Sequence, residues 1–440
     1  MSTVEISLSP AAVERLSAGE PTWLAAARRR AFEIFEKLDW PTTKNEAWRY
    51  TRLDPELFAL PPQARGEAEL REFEDLPAAL QKRLGETDVE AALVFINGRL
   101  AYVRLPDELA SKGIILASLA EAVDCHGEHV EGALYQAVSE AALAGPEDKL
   151  AALNAALWSY GAFVYVPAGV ELKAPLGVFH YADEKGVQGH SRTLLLLDDN
   201  AGATFIEEFL SPSLEPYTHV AVGEILLRPG ARLRHAAVQT WGAGVSHFHR
   251  QHALLERDAV LLDLAANLGA TLARTEVGSE LLGPGADSEM LGVYFAGAGQ
   301  HLDHYTTQHH VSAQARSDVY YKGAANADGK LVYQGMIRLE PTAQQTDAYQ
   351  TNRNLLLSKQ ARAESVPQLE IAANDVRCSH GSSTAPVDEE QIFYMQTRGI
   401  SRELAQQALV AAFLEEVLGR VPLAQLRAHI GRIIESRIAG

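Results

Sequence analysis

The chain has 440 residues, 47% of them hydrophobic, with 39 Lys plus Arg against 57 Asp plus Glu and a formal net charge of −18. That is ample apolar material for a large core, and an acidic chain with no basic cluster is a poor binder of nucleic acid or anionic membranes. Cys125 and Cys378 are the only cysteines, which excludes a disulfide framework and any four-cysteine zinc or cluster site closed within one chain.

The N-terminal Met1–Ile6 shows no basic region leading into an apolar core, and no apolar run nears the ~20 residues that span a bilayer. A cytoplasmic protein is expected. Residues 8–40 predict helix, opened by Leu8-Ser-Pro and rich in Ala, Leu, Phe and Arg. Pro41 to Thr51 carries Glu46, Trp48, Arg49 and Tyr50, a set suited to clamping a loop onto the body. Residues 61–88, polar and rich in Pro, Ala and Glu, predict a mobile connection. Leu93–Ile96, Asn97-Gly98 and Arg99–Val103 predict a hairpin, since Asn-Gly favours the type I′ turn. Helical patterns follow at 117–124, 128–143 and 147–158.

From Gly161 to about residue 377 the chain reads as short strands. The pairs Gly202-Ala203, Gly230-Ala231, Asp258-Ala259 and Gly285-Ala286 recur at spacings of 28, 28 and 27. A period of that size suggests stacked coils, whereas sandwich hairpins repeat about every 8–12 residues. Pattern alone leaves both open. After residue 387 the apolar period turns helical. Asp388 suits an N-cap with Gln391 three residues on, Gly399 a C-terminal stop, Ser401 a second cap, Gly419 its stop, and Pro422 the opening of a last helix. Leu404, Ala408, Ala411, Ala412 and Leu418 form the apolar stripe of the second helix, as core or as docking face.

Four groups of residues invite chemistry. His247-Phe-His249 with Glu256 is similar to the metal motif of cupins, but the gap between His249 and Glu256 is too long and His252 has the wrong strand parity. Gly323 to Leu331 looks like a phosphate loop, yet has five residues between its glycines and Leu331 where magnesium needs a hydroxyl. It reads better as a turn at Asp328-Gly329. Gly299 to His310 offers His301, Asp303, His304, His309 and His310, either as metal ligands or as hydrogen-bonded positions along a sheet face. Cys378 and His380 share one strand face by their i, i+2 spacing, and on chemistry alone a buried cysteine and a lone histidine are packing residues.

Four ordered blocks lie around that last pair: Asn354–Ser358, Pro367–Ile371, Asp375-Val-Arg-Cys-Ser-His-Gly381, and Asp388–Tyr394 with Arg398-Gly-Ile400. Together with Glu46-Ala-Trp-Arg-Tyr-Thr51 they resemble the SufD side of the SufB/SufD family, subunits of the SufBCD iron–sulfur cluster assembly complex. The resemblance implies a mainly β chain with a right-handed parallel β-helix core, an N-terminal α/β region and a C-terminal helical segment, divided at residues 1–145, 146–385 and 386–440. It implies a non-catalytic scaffold that pairs with SufB near residues 350–381 and carries no resident metal or cofactor, only a transient iron–sulfur cluster shared with SufB. His380 inherits a place at that cluster as a possible iron ligand, with Cys378 beside it. Asp388, Phe393, Tyr394 and Arg398 fall in the region expected to dock the SufC ATPase. A homodimer of the isolated chain stays open, and no flavin fingerprint is visible. SufB-like chains carry more cysteines and a Glu-His-Glu run where this chain has Arg377-Cys-Ser-His380. The competing class is an enzyme, either a β-helix polysaccharide lyase or a cupin-like metal-dependent one.

Overall fold

The computed structural model describes residues 8–63, 69–138, 143 and 145–439. Its centre is a parallel β-solenoid. Successive strands alternate between a ten-stranded and a nine-stranded sheet, and eight strands of each stack in parallel from Ala162–Val166 to Arg377–Pro386. The hairpin Ala91–Ile96 and Arg99–Arg104 extends the first sheet, turning on Asn97 and Gly98 at φ 50° and 74° as the type I′ reading expects. The strand Ile115–Ser118, absent from the sequence reading, extends the second. Both sheets therefore draw strands from the N-terminal region.

The repeat is set at one corner. Asn200, Gly230, Asp258, Gly285, Gln314 and Gln345 all take left-handed backbone, with φ between 56° and 76°. Five of the six are followed by a buried alanine, at 201, 231, 259, 286 and 315. At five of these turns the backbone N–H reaches a carbonyl of the next coil, for example Asn200 to Pro229 at 2.9 Å and Gly230 to Arg257 at 2.9 Å. Small side chains are needed here because the coils stack one strand spacing apart, about 4.8 Å. The equivalent of Gly230-Ala231 is thus Asn200-Ala201 rather than Gly202-Ala203. Measured along the ten-stranded sheet, each coil takes 27–31 residues by register, not a constant 28.

Helices cover both outer faces. Pro10–Ser17, Thr22–Lys37 and Lys149–Leu157 bury Leu24, Phe32 and Leu153 against Leu194, Val220 and Phe248 of the nine-stranded sheet. The first two are separate helices, because Gly19 at φ 86° and Pro21 interrupt the predicted run. Arg402–Leu418 and Ala424–Ala439, with Ala78–Gly85, bury Leu414, Val417, Ile430 and Leu80 against Leu264, Val293 and Ala324 of the other sheet.

Three sequence expectations need correction. Within 61–88 the part from Leu76 on is anchored: Leu76, Leu80 and Leu84 are buried and Arg83 of Ala78–Gly85 forms a buried ion pair with Glu208, whereas residues 69–72 are exposed, with the Arg71 N–H donating to Ala101 at 2.7 Å. Among the described residues of 128–143 the pattern yields one helix, the short Gly127–Val130. Residues 131–138 form turns held by Glu224, which accepts the N–H of Tyr135, Ala137 and Val138 at 3.0, 3.0 and 3.1 Å. Residues 139–142 lie outside the described residues. On helix Arg402–Leu418 the buried face is Ala405, Val410, Leu414, Val417 and Leu418, and of the predicted stripe only Leu418 belongs to it. Sheet contact, not the helix's own periodicity, selects the inner face. Leu404 is 58% exposed.

Candidate functional site at the open end of the solenoid

Among the described residues no further strand stacks on the last coil of the solenoid. Its last two strands, Arg362–Ile371 and Arg377–Pro386, are the terminal strands of their sheets, and each pairs with one neighbour only. Such edges present unpaired backbone groups, ready for another chain. Their residues are exposed or half-exposed throughout, in contrast to the buried strands of the earlier coils.

Cys378 and His380 sit on the second of these strands. Their register partners one coil deeper, Ala348 and Gln350, are buried at 2% and 1% exposure, so both side chains lie on the line of residues that fills the interior of earlier coils. The i, i+2 parity argument holds. Their environments differ, however. Cys378 packs at the edge of a cluster formed by Ile337, Leu339, Ala343 and Ala348, and burial pushes its thiol up to about 11. The His380 ring is exposed and has no hydrogen-bond partner among the described residues. Ser382, two residues further, donates to Ser365 at 2.8 Å and ties the two sheets together at the rim.

Beneath this rim lies a polar layer that sequence reasoning did not single out. Gln350 donates to the carbonyls of Gly335 and Gln368, both at 3.4 Å, and its own Oε1 has no partner. Asn352 donates to the Tyr294 hydroxyl at 2.6 Å, and that hydroxyl donates to Asn354 at 2.8 Å. Deeper still are stacked histidines. His219 and His247 meet through their Nδ1 atoms at 3.1 Å, His180 pairs with Glu207 at 2.8 Å, and His235 pairs with Asp263 at 2.8 Å. Alternation of apolar and polar residues hides such a layer, because here the inward face is itself partly polar.

The Glu46–Thr51 motif docks on the nine-stranded sheet. The Arg274 guanidinium lies 4.2 Å from the centre of the buried Trp48 ring and pairs with Asp303 at 2.6 Å. Asp303 in turn accepts from the Thr51 hydroxyl, which also meets His301 at 2.9 Å. The clamp reading of this motif is correct. So is the hydrogen-bonded reading of 299–310: His304 meets Asn267 at 2.8 Å, His309 meets Glu340 at 3.0 Å, and His310 meets Ser317 at 2.7 Å.

At the C-terminal segment, Asp388 caps helix Glu389–Thr397 by accepting from Glu390 N–H at 2.9 Å, and Gly399 at φ 86° ends it. Phe393 and Tyr394 stand 68% and 60% exposed. Arg398 lies over the Tyr394 ring at 5.2 Å, and the exposed Phe393 precedes Tyr394 on the same helix. Of the enzyme-like groups, Gly323 to Leu331 spans the turn between strands Arg316–Ala325 and Lys330–Leu339. His247 and His249 are buried in the interior, whereas Glu256 lies half-buried at a corner, paired with Arg228 at 2.7 Å. Among the described residues no three His, Cys, Asp or Glu side chains converge on a point that could hold a metal ion.

Residues 179–413 match the family described as the SufBD core domain of SUF-system FeS cluster assembly, and residues 6–178 match the SufBD protein N-terminal region. The chain belongs to the SufB/SufD family of iron–sulfur cluster assembly proteins. It is 25% identical over 435 residues to the iron–sulfur cluster assembly protein SufB of Bacillus subtilis, covering 96% of this chain and 90% of the relative. Two iron–sulfur cluster assembly SufBD family proteins, of Staphylococcus haemolyticus and Staphylococcus epidermidis, are each 25% identical over 430 residues, with the same coverage. The relatives' names thus divide between SufB and the undivided family. No helix among the described residues is long and apolar enough to cross a membrane.

Proposed function

We propose that this SufB/SufD-family chain acts as the SufD-type, non-catalytic scaffold of a cytoplasmic SufBCD complex. The observation that carries the reading is the last coil, on which no further described strand stacks, with His380 exposed on its edge strand and Cys378 beside it. A SufB-type partner would complete the coil through main-chain edges, and one chain with two cysteines needs ligands from another to hold a cluster. The cluster is cargo shared across that interface, and His380 contributes a neutral imidazole to it. The low cysteine count and the Arg377-Cys-Ser-His380 run favour the SufD side over the SufB side. A SufC-type ATPase docks on the exposed surface of Phe393, Tyr394 and Arg398 beyond the Asp388 cap.

The test is co-purification from the native host, with His380→Ala alongside. SufB-type and SufC-type chains should accompany both proteins, while iron–sulfur cluster formed in the cell falls sharply in the variant. Normal cluster maturation in His380→Ala would make His380 a structural residue. Loss of the complex would assign it to docking rather than ligation.

A further inference from the structure

The corner opposite Asn200, Gly230 and Asp258 carries a cavity unrelated to the open end. It is an open space of about 380 Å³ where the loops after strands Gly202–Leu210, Arg232–Thr240, Val260–Asn267 and Asp287–Ala296 meet the end of the last helix. Its polar lining is Ser211, Ser213, Thr240, Thr271, Gln300 and Arg437, with no acidic residue among the described residues, on a chain whose net charge is −18.

Arg437 is the unusual member. Helix Ala424–Ala439 carries two other arginines, and each finds a carboxylate: Arg427 with Glu415 at 3.6 Å and Arg432 with Glu86 at 3.0 Å. Arg437 is half-buried, and its guanidinium has no hydrogen bond or ion pair among the described residues. Burial pulls its pKa below the ordinary arginine value, and no carboxylate among the described residues offsets the cost. A cation in the last turn does suit a helix C-terminus. A solvated side chain would gain that benefit too, so it does not explain the burial.

The hydroxyls supply matching donors. Ser211 accepts the Gly242 N–H at 3.0 Å and Thr271 accepts the Gly244 N–H at 2.8 Å, which leaves each O–H free to donate outward. The Ser213 hydroxyl has no partner among the described residues. Thr240 spends its own on the Phe209 carbonyl at 3.3 Å. An arginine fork with several hydroxyl donors and no competing carboxylate is the donor set that a tetrahedral oxyanion takes.

We propose that this cavity binds a phosphate group, free or on a small ester, between Arg437 and the hydroxyls of Ser211, Ser213 and Thr271. The bound anion joins the last helix to the solenoid corner.

Inorganic phosphate is titrated into the full chain against sodium chloride of equal ionic strength, read by calorimetry and by thermal shift. The wild-type chain should bind saturably and melt higher in phosphate than in chloride. Arg437→Gln should weaken binding at least tenfold with unchanged circular dichroism, and Ser213→Ala, whose hydroxyl holds nothing else, should weaken it several-fold. Sn-glycerol 3-phosphate in parallel names the source: tighter binding than phosphate assigns an ester, weaker binding assigns the free ion. Equal stabilisation by chloride and phosphate overturns the site, as does undiminished phosphate binding by Arg437→Gln.

Discussion

A cysteine ligates iron as the thiolate, and Cys378 is held in the thiol form by burial among Ile337, Leu339 and Ala348, with its pKa pushed up to about 11. At pH 8 its thiolate fraction is therefore on the order of one part in a thousand. Cys125 is exposed on the end of helix Leu119–Cys125. Iodoacetamide at pH 8, followed by mass spectrometry, should label Cys125 well before Cys378, and comparable rates would show that the rim is open enough to ionise Cys378. In the proposed function, this burial favours His380, exposed two residues away, over Cys378 as the ligand. A second residue carries structure rather than chemistry. Glu224 is fully buried, pairs with Arg192 at 2.6 Å and accepts the N–H groups of Tyr135, Ala137 and Val138. Removing one partner of a buried pair leaves the other charge uncompensated, at about 3–5 kcal/mol. Glu224→Ala should lose about that much in urea unfolding, and a loss under 1 kcal/mol would mean that Arg192 finds other partners.

At the scale of elements, the corners decide the fold. Gly230 sits at φ 73°, and a Cβ there would lie 2.4 Å from Asn200 Oδ1. Gly230→Ala should therefore cost about 1–2 kcal/mol from the left-handed backbone alone. A neutral effect would show that the stacked corners shift freely. This corner was legible as a repeat of small residues, but one pair was misplaced by two residues. The signal is a left-handed residue followed by a small buried one, and Asn200 and Gln314 fill the first position without being glycine. The C-terminal helices were legible in their caps and stops, since those are local hydrogen-bond chemistry. Their inner face was not, because it is chosen by Leu264 and Val293 on strands more than a hundred residues earlier. This matters for any test of docking. Deleting residues 388–440 would bare the ten-stranded sheet and strip the buried Lys322 of Glu416, its partner at 2.5 Å. Phe393→Ser with Tyr394→Ser leaves that core alone. The pair should reduce affinity for a SufC-type ATPase at least tenfold with a melting temperature within a few degrees of the parent; unchanged affinity would move the docking surface elsewhere.

For the molecule as a whole, what sequence could not show is contact at long range: Thr51 with Asp303, Arg28 with the carbonyl of Trp158, and the histidine layer inside the coils. The rim pair Cys378 and His380 was legible because parity along one strand is local. The histidine layer has a consequence for stability. Burial holds His190, His249 and His310 down to about 4 and His304 to about 3, and it pushes His219 and His247 well below the usual range. In the unfolded chain these rings titrate near 6.5. Between pH 6.5 and about 4 the unfolded state therefore holds more protons than the folded one, and stability rises with pH across that window. Above it the benefit is fully present; as pH falls through it the benefit is lost. Each unit of depression is worth about 1.4 kcal/mol per ring. His309 works the other way, since its bonds to Glu280 and Glu340 raise its pKa. It is one partly buried group against six buried ones, so the loss on acidification wins. The urea midpoint should be nearly level from pH 8 to 7 and fall steeply from 6.5 to 5, with little change in m-value. His249→Gln should lower stability at pH 8 and flatten the slope by about one proton, because it removes one ring that titrates only on unfolding. A midpoint that stays level down to pH 5 would mean that the rings inside the solenoid are hydrated and free to protonate in place.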